Sequence, residues 1–142
     1  MLDLRFLCSS LREDYSQSFK ELLQTRLSFF MNNFDVECSL YFASDLCAGF
    51  DSATKENLLY AVNEILSNAV HHAKAQKVTV RVIDSAKEFV LRIADDGTNF
   101  TGIQEKDGHF GIKNIKSRIQ KCGGTVEWIK TTGGGCEVVV RI

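Results

Sequence analysis

Glu64 and Asn68 stand four residues apart in the stretch NLLYAVNEILSNAVHHA, residues 57–73. If that stretch is a helix, the two side chains are surface neighbours. A carboxylate and an amide one turn apart can serve a cation and the groups around it. At about 100° per residue, Leu58, Val62, Ile65, Leu66, Ala69 and Ala73 fall on one side. Asn57, Ala61, Glu64, Asn68 and His71 gather roughly 120° round from them. The first side builds a core; the second faces solvent or a ligand. On this stretch alone, ordinary solvated positions are the favoured reading. Two later stretches also carry chemistry: IADDGTNF, with Asp95 and Gly97, and DGHFGIKNI, with Gly108, His109, Gly111, Ile112 and Asn114.

Composition narrows what these residues can serve. The chain has 142 residues, of which 44% are hydrophobic, enough for the core of one domain. Seventeen basic and eighteen acidic residues leave a net charge of −1. That balance argues against a nucleic-acid surface and against a polybasic membrane patch. No apolar run has the length of a membrane span, and no signal peptide opens the sequence. The five cysteines, at 8, 38, 47, 122 and 136, form no CxxC, and none of the three histidines pairs with a cysteine at zinc-finger spacing. An odd count suits reduced thiols better than a disulfide framework. Proline is absent, and nothing in the pattern explains why.

The elements that must position these residues follow in order. Leu11 to Asn33 has helical spacing, with Ser9 or Ser10 as cap and Glu13 completing a capping box. Its length, about 35 Å, would cover one side of a sheet or continue an upstream helical linker, of which residues 1–10 would then be the tail. Asp35 to Phe42 alternates as a strand does. A loop follows, then a helix capped by Asp51 or Ser52 and running to about Ala75. Lys77 to Asp84 and Glu88 to Ala94 form a hairpin. Asp95 to Gly108 is a polar loop. Gly111 to Cys122 is a second amphipathic helix, stopped by Gly123 and Gly124. Thr125 to Lys130 and Cys136 to Ile142 are strands joined by TTGGG. The expected architecture is an α/β two-layer sandwich, a mixed and largely antiparallel sheet covered on one face by three helices, in a single domain spanning 1–142.

ENLLYAVNEILSNAVHHAKA, IADDGTNF and DGHFGIKNIKSRIQKCGG are weak signals singly, since DDG is a common turn and GHFG can be only a helix start. In this order and on these elements they resemble the ATP-binding catalytic domain of two-component sensor histidine kinases. That domain has the Bergerat-type fold shared with DNA gyrase, the Hsp90 chaperone and the mismatch-repair MutL protein. HHAKAQKVTV and DGHFGIKNI are most similar to the subclass of the nitrate sensors and DesK-like kinases. The resemblance implies roles. Asn68 would coordinate a magnesium ion bridging the ATP phosphates, and Glu64 would be the catalytic residue, orienting a water or accepting a proton. Asp95 would accept a hydrogen bond from the adenine amino group, with Gly97 letting the backbone pass close to the base. His71 stands where many members carry a phosphate-touching lysine. Gly108, His109, Gly111, Ile112 and Asn114, with Lys113 beside them, would meet the triphosphate, and Thr101 to Asp107 would form a short lid. Asn99 replaces a second family glycine. Gly135 matches a family glycine, and Cys136 replaces the threonine after it. Asp96 reads as a solvated loop residue, and His72 as packed or capping.

The resemblance further implies Mg-ATP binding and supply of the γ-phosphate to a histidine on a separate dimerisation domain of the same kinase, with a response regulator downstream. His71, His72 and His109 lack the context of such an acceptor. The chain alone is therefore expected to bind ATP without phosphorylating itself, as the cytoplasmic catalytic part of a longer protein, with membrane anchoring through an upstream segment left open. Two alternatives stay open: a stand-alone serine kinase of the anti-sigma-factor type, and a non-catalytic module whose nucleotide site has decayed.

Overall fold

The computed structural model describes residues 14–43, 49–98 and 110–142. Among the described residues three helices and five strands follow one another as α1 (Phe19–Asn33), β1 (Glu37–Phe42), α2 (Ser52–His71), β2 (Lys77–Asp84), β3 (Phe89–Asp95), α3 (Phe110–Lys121), β4 (Thr125–Lys130) and β5 (Cys136–Arg141). The strands form one sheet in the order β1-β2-β3-β5-β4. β1 and β2 are parallel, and the other neighbours are antiparallel. The expected mixed, two-layer architecture is what forms. Alternate residues of the strands face the helices: Val78, Val80 and Val82 from β2, Phe89, Leu91 and Ile93 from β3, and Val138 and Val140 from β5 are all buried. They meet Leu22, Leu23 and Phe30 of α1, Leu58, Leu59, Val62 and Leu66 of α2, and Ile115 and Ile119 of α3 in one core.

The first helix departs from expectation. Residues 14–18 are not helical, and α1 begins at Phe19. Ser18 caps it, its hydroxyl oxygen accepting from the Glu21 N–H at 3.2 Å. The local reason is the turn before it. The Asp14 carboxylate accepts from the Ser16 N–H at 3.0 Å and from the Ser16 hydroxyl at 2.6 Å, which fixes the chain in a non-helical bend. The proposed caps Ser9 and Ser10, and Glu13, lie outside the described residues. At the start of α2 it is Asp51 that caps, its carboxylate accepting from the Thr54 N–H at 2.7 Å.

α2 also ends earlier than its pattern suggests, at His71. The His72 and Ala73 N–H groups both donate to the Asn68 carbonyl, at 2.9 and 3.1 Å, and Lys74 takes a left-handed φ of 52°. A left-handed residue closes the helix here without glycine. The end of α3 follows the expected route. Gly123, at φ 76°, donates to the Gln120 carbonyl and Gly124 to the Ile119 carbonyl.

Lys55 ties the start of α2 to the lead-in of α1. The side chain is 7% exposed. Its ammonium donates to the Tyr15 and Gln17 carbonyls at 3.0 and 2.9 Å. Replacing it by methionine leaves two carbonyls without that donor, so Lys55→Met should lower the unfolding free energy by about 1–3 kcal/mol. Urea denaturation of both proteins measures this; equal stabilities would show that the tie contributes nothing.

Candidate functional site

The two faces read from α2 separate as its periodicity requires. Leu58, Val62, Ile65, Leu66 and Ala69 are buried in the core. Glu64 on the other face is also largely buried, at 8% exposure, and Asn68 is half-buried. What covers them is the beginning of α3. A Cβ built on Gly111, the second residue of that helix, would lie 3.0 Å from Glu64 Oε2, 3.7 Å from Asn68 Oδ1 and 3.8 Å from Asn68 Nδ2. Only bare backbone fits comfortably so close to the carboxylate. The positive end of the α3 dipole therefore points towards a negative side chain and a polar amide, an arrangement that favours further negative charge only where a cation is also held.

The second part of the site is the end of β3. The Asp95 carboxylate accepts from the Gly97 N–H at 2.9 Å and from the Cys136 N–H. Burial nevertheless pushes its carboxyl above the usual aspartate range, outweighing the two N–H donors, and the neighbouring Asp96 charge adds to the rise. Gly135 approaches it from the turn before β5: a Cβ there would collide with the Asp95 carbonyl oxygen and lie 3.2 Å from Oδ1. Beside it the Cys136 thiol is pushed up to about 12, first by burial and then by the charge of Asp95. It stays a neutral thiol at physiological pH.

Gly97 has a close neighbour within the fold itself. A Cβ there would lie 2.5 Å from both the Cβ and the carbonyl oxygen of Ala73. The glycine lets the turn after β3 lie against the end of α2, and the Thr98 N–H donates to the Ala73 carbonyl at 3.0 Å. This contact brings the Asp95 turn to the end of α2 that carries Asn68. Asp96 fastens it. Although exposed, its carboxylate accepts from the Gln76 and Lys77 N–H groups at 2.8 and 2.9 Å, so it is a latch rather than a solvated loop residue. Nothing in DDG marks the second aspartate over the first, which is why sequence alone misses it.

His71 lies on the same helix as Glu64 and Asn68, but its ring packs edge-on against Phe34, with centroids 5.5 Å apart. It joins the ends of α1 and α2. His72 is exposed and contributes its backbone N–H to the helix end. Ile112 and Asn114 are half-buried in the first turns of α3, and Lys113 is exposed. Gly108, His109, Asn99 and the segment Thr101 to Asp107 lie outside the described residues. Asn57 proves structural: its amide nitrogen donates to the Ala53 carbonyl at 3.0 Å, and its oxygen accepts from Arg118 at 3.2 Å.

Among the described residues no three His, Cys, Asp or Glu side chains cluster as metal ligands. The donor set at α2 instead offers one amide oxygen and one carboxylate. That suits magnesium, which keeps several waters and takes most of its other oxygens from phosphate. Cys38, Cys122 and Cys136 are free thiols. No helix among the described residues is long and apolar enough to cross a membrane.

A helix-borne glutamate and asparagine under the first turn of a second helix, on a mixed sheet of this order, fit a nucleotide-binding domain of the histidine-kinase type. Comparison with known proteins places the chain within that class: residues 39–138 match the histidine kinase-like ATPase domain. The chain belongs to the histidine kinase-like ATPase domain family. The sensor histidine kinase LiaS of Bacillus subtilis is 33% identical over 88 residues, covering 62% of this chain and 24% of LiaS. The nitrate/nitrite sensor protein NarQ of Escherichia coli is 24% identical over 128 residues, covering 89% of this chain and 22% of NarQ. The chain thus spans about a quarter of the length of these relatives. Among solved structures, the ATP-binding domain of PrrB from Mycobacterium tuberculosis superposes with a TM-score of 0.69 at 21% identity, over 89% of this chain and 93% of that one. The Acinetobacter baumannii histidine kinase AdeS gives 0.66 at 18% identity, over 88% and 64%. These two structures establish the likeness of fold.

The half-buried Asp95 carboxyl bears on stability. Its raised pKa means that the folded state takes up a proton more readily than the unfolded chain. Asp95 therefore draws stability down as pH rises through that raised value. An asparagine has no such charge. The unfolding free energy of Asp95→Asn minus that of the parent should increase between about pH 4 and about pH 7.5. Denaturant unfolding at the two pH values measures it; a constant difference would show that the carboxylate carries no burial penalty.

Proposed function

We propose that this chain is the catalytic, ATP-binding unit of a two-component sensor kinase. It binds Mg-ATP and delivers the γ-phosphate to a histidine on the separate dimerisation domain of that kinase, from which a response regulator is served. The observation that carries the reading is the closeness of Gly111 to Glu64 and Asn68. A carboxylate and an amide of α2 meet the backbone of the distant α3 there, and their chemistry matches a cation with phosphate oxygens. The relatives LiaS and NarQ are both sensors, which supports a histidine acceptor over the serine acceptor of an anti-sigma-factor kinase.

Each residue has a distinct task. The Asn68 amide oxygen holds magnesium together with phosphate oxygens and waters. Bound there, the ion neutralises charge on the phosphates. Glu64, nearly withdrawn from solvent, orients a water or accepts a proton. The backbone at Gly111 and Ile112, with Asn114 nearby, presents N–H groups at the positive end of α3 to the triphosphate. Gly108 and His109, outside the described residues, are assigned to the triphosphate from their motif alone. Asp95, held by two N–H groups, accepts the adenine amino group; a carboxylate has no donor to offer guanine's different edge. His71, engaged with Phe34, is given no phosphate contact. Phosphoryl transfer then depends on positioning and charge more than on covalent chemistry by the protein. The site works in the cytoplasm, where ATP is.

Calorimetric titration with adenylyl and guanylyl imidodiphosphates, with and without magnesium, tests the binding. The adenine analogue should bind more tightly than the guanine analogue. Asn68→Ala should abolish the magnesium dependence while leaving the circular dichroism unchanged. Absence of saturable binding at millimolar nucleotide would sink the proposal and leave a decayed module. Mixing the chain with Mg-ATP and a dimerisation hairpin from the same genome should then yield phosphohistidine; phosphoserine on a small antagonist protein would instead identify the other kinase.

A further inference from the structure

α2 and α3 touch at more than the nucleotide site. Near the far end of α3 the Arg118 guanidinium lies over the Tyr60 ring, 4.1 Å from its centroid, and donates to the Asn57 amide oxygen at 3.2 Å. Asn57 is held for this by its own bond to the Ala53 carbonyl. One turn further on, the Cys122 sulfur lies 3.9 Å from the Thr54 carbonyl oxygen. The contacts run in opposite directions along the two helices: Cys122 with Thr54, Arg118 with Asn57 and Tyr60, Gly111 with Glu64 and Asn68. From Arg118 back to Gly111 is two helical turns, about 10.5 Å, and from Asn57 forward to Glu64 is the same about 10.5 Å. The clasp and the site are therefore in register.

We propose that Arg118 is a positioning residue that sets the axial register of α3 on α2, and through it the place of the Gly111 backbone against Glu64 and Asn68. Ile115 and Ile119, both fully buried, fix which face of α3 points inward. Apolar side chains are non-directional, so a sliding helix keeps most of their burial. The guanidinium is directional: its plane must lie on one ring and its N–H must reach one oxygen. A lysine in its place keeps the charge but loses the planar stack. This inference rests on the Mg-ATP reading for its functional consequence, though not for the register itself.

The test compares Arg118→Lys, Tyr60→Leu and Tyr60→Phe in the full chain. Two quantities are read: affinity for adenylyl imidodiphosphate with magnesium against affinity for adenosine, and amide hydrogen exchange of residues 110–114. Arg118→Lys and Tyr60→Leu should each weaken the triphosphate analogue by about tenfold. Adenosine affinity should hold, because the adenine contact sits on β3. Exchange at the start of α3 should quicken in both variants. Tyr60→Phe keeps the ring and should behave as the parent in both measurements. Unchanged exchange, or equal loss for adenosine and the triphosphate analogue, would overturn the proposal. If the parent itself binds no triphosphate analogue, the ATP reading falls, and the register is decided by the exchange of the three variants.

Discussion

The site depends on how near α3 can come to α2. Gly111 has no side chain, and that allows the α3 backbone to lie over Glu64 and Asn68 at a distance where a Cβ would already crowd the carboxylate. The approach has an electrostatic side. Glu64 is almost withdrawn from water, and a buried carboxylate needs compensation. The backbone N–H groups and the dipole at the start of a helix are suited to supply some of it. The same groups are those an anionic ligand would use. Steric closeness and charge balance are thus one constraint, placed at one residue.

Magnitudes show how the helix pair divides its tasks. Burying Ile115 and Ile119 contributes about 1.5–3 kcal/mol each, which keeps α3 on the core. The Arg118–Tyr60 contact, at about 0.5–2 kcal/mol, is too small to hold a helix in place. It is large enough to choose between positions that bury nearly the same apolar area. Adhesion comes from the non-directional contacts and register from the directional ones.

Much of this was legible in the sequence because period and punctuation agree over most of the chain. β2 and β4 occupy the expected spans, Lys77–Asp84 and Thr125–Lys130, and α3 is displaced by one residue. The misses have physical causes. The expected start of α1 relied on helical spacing from Leu11, while the Asp14 turn overrides it at Tyr15 to Gln17. The true cap was also written in the chain, as Ser18 and Glu21 three residues apart, but a long apolar stripe obscured it. The end of α2 carries no glycine, and Lys74 takes the left-handed position instead. Propensity gives no warning of such a residue; the close fit of Ala73 against Gly97 and Thr98 shows what holds it.

The second half of the site was legible in type but not in mechanism. Asp95 and Gly97 were identified by their motif, yet the close neighbour that requires Gly97 is the end of α2. That difference matters for how the cleft is built. Asp95 is a half-buried carboxylate whose pKa the fold raises, so its turn is under electrostatic load. The load is borne by contacts made elsewhere: Asp96 on the backbone at the start of β2, Gly97 and Thr98 on Ala73, Gly135 from the turn before β5. None of these groups needs to touch a ligand. They keep an unfavourable carboxylate aimed along a fixed direction beside the helix end that carries Asn68, and a directed acceptor is what selective recognition of an amino group requires.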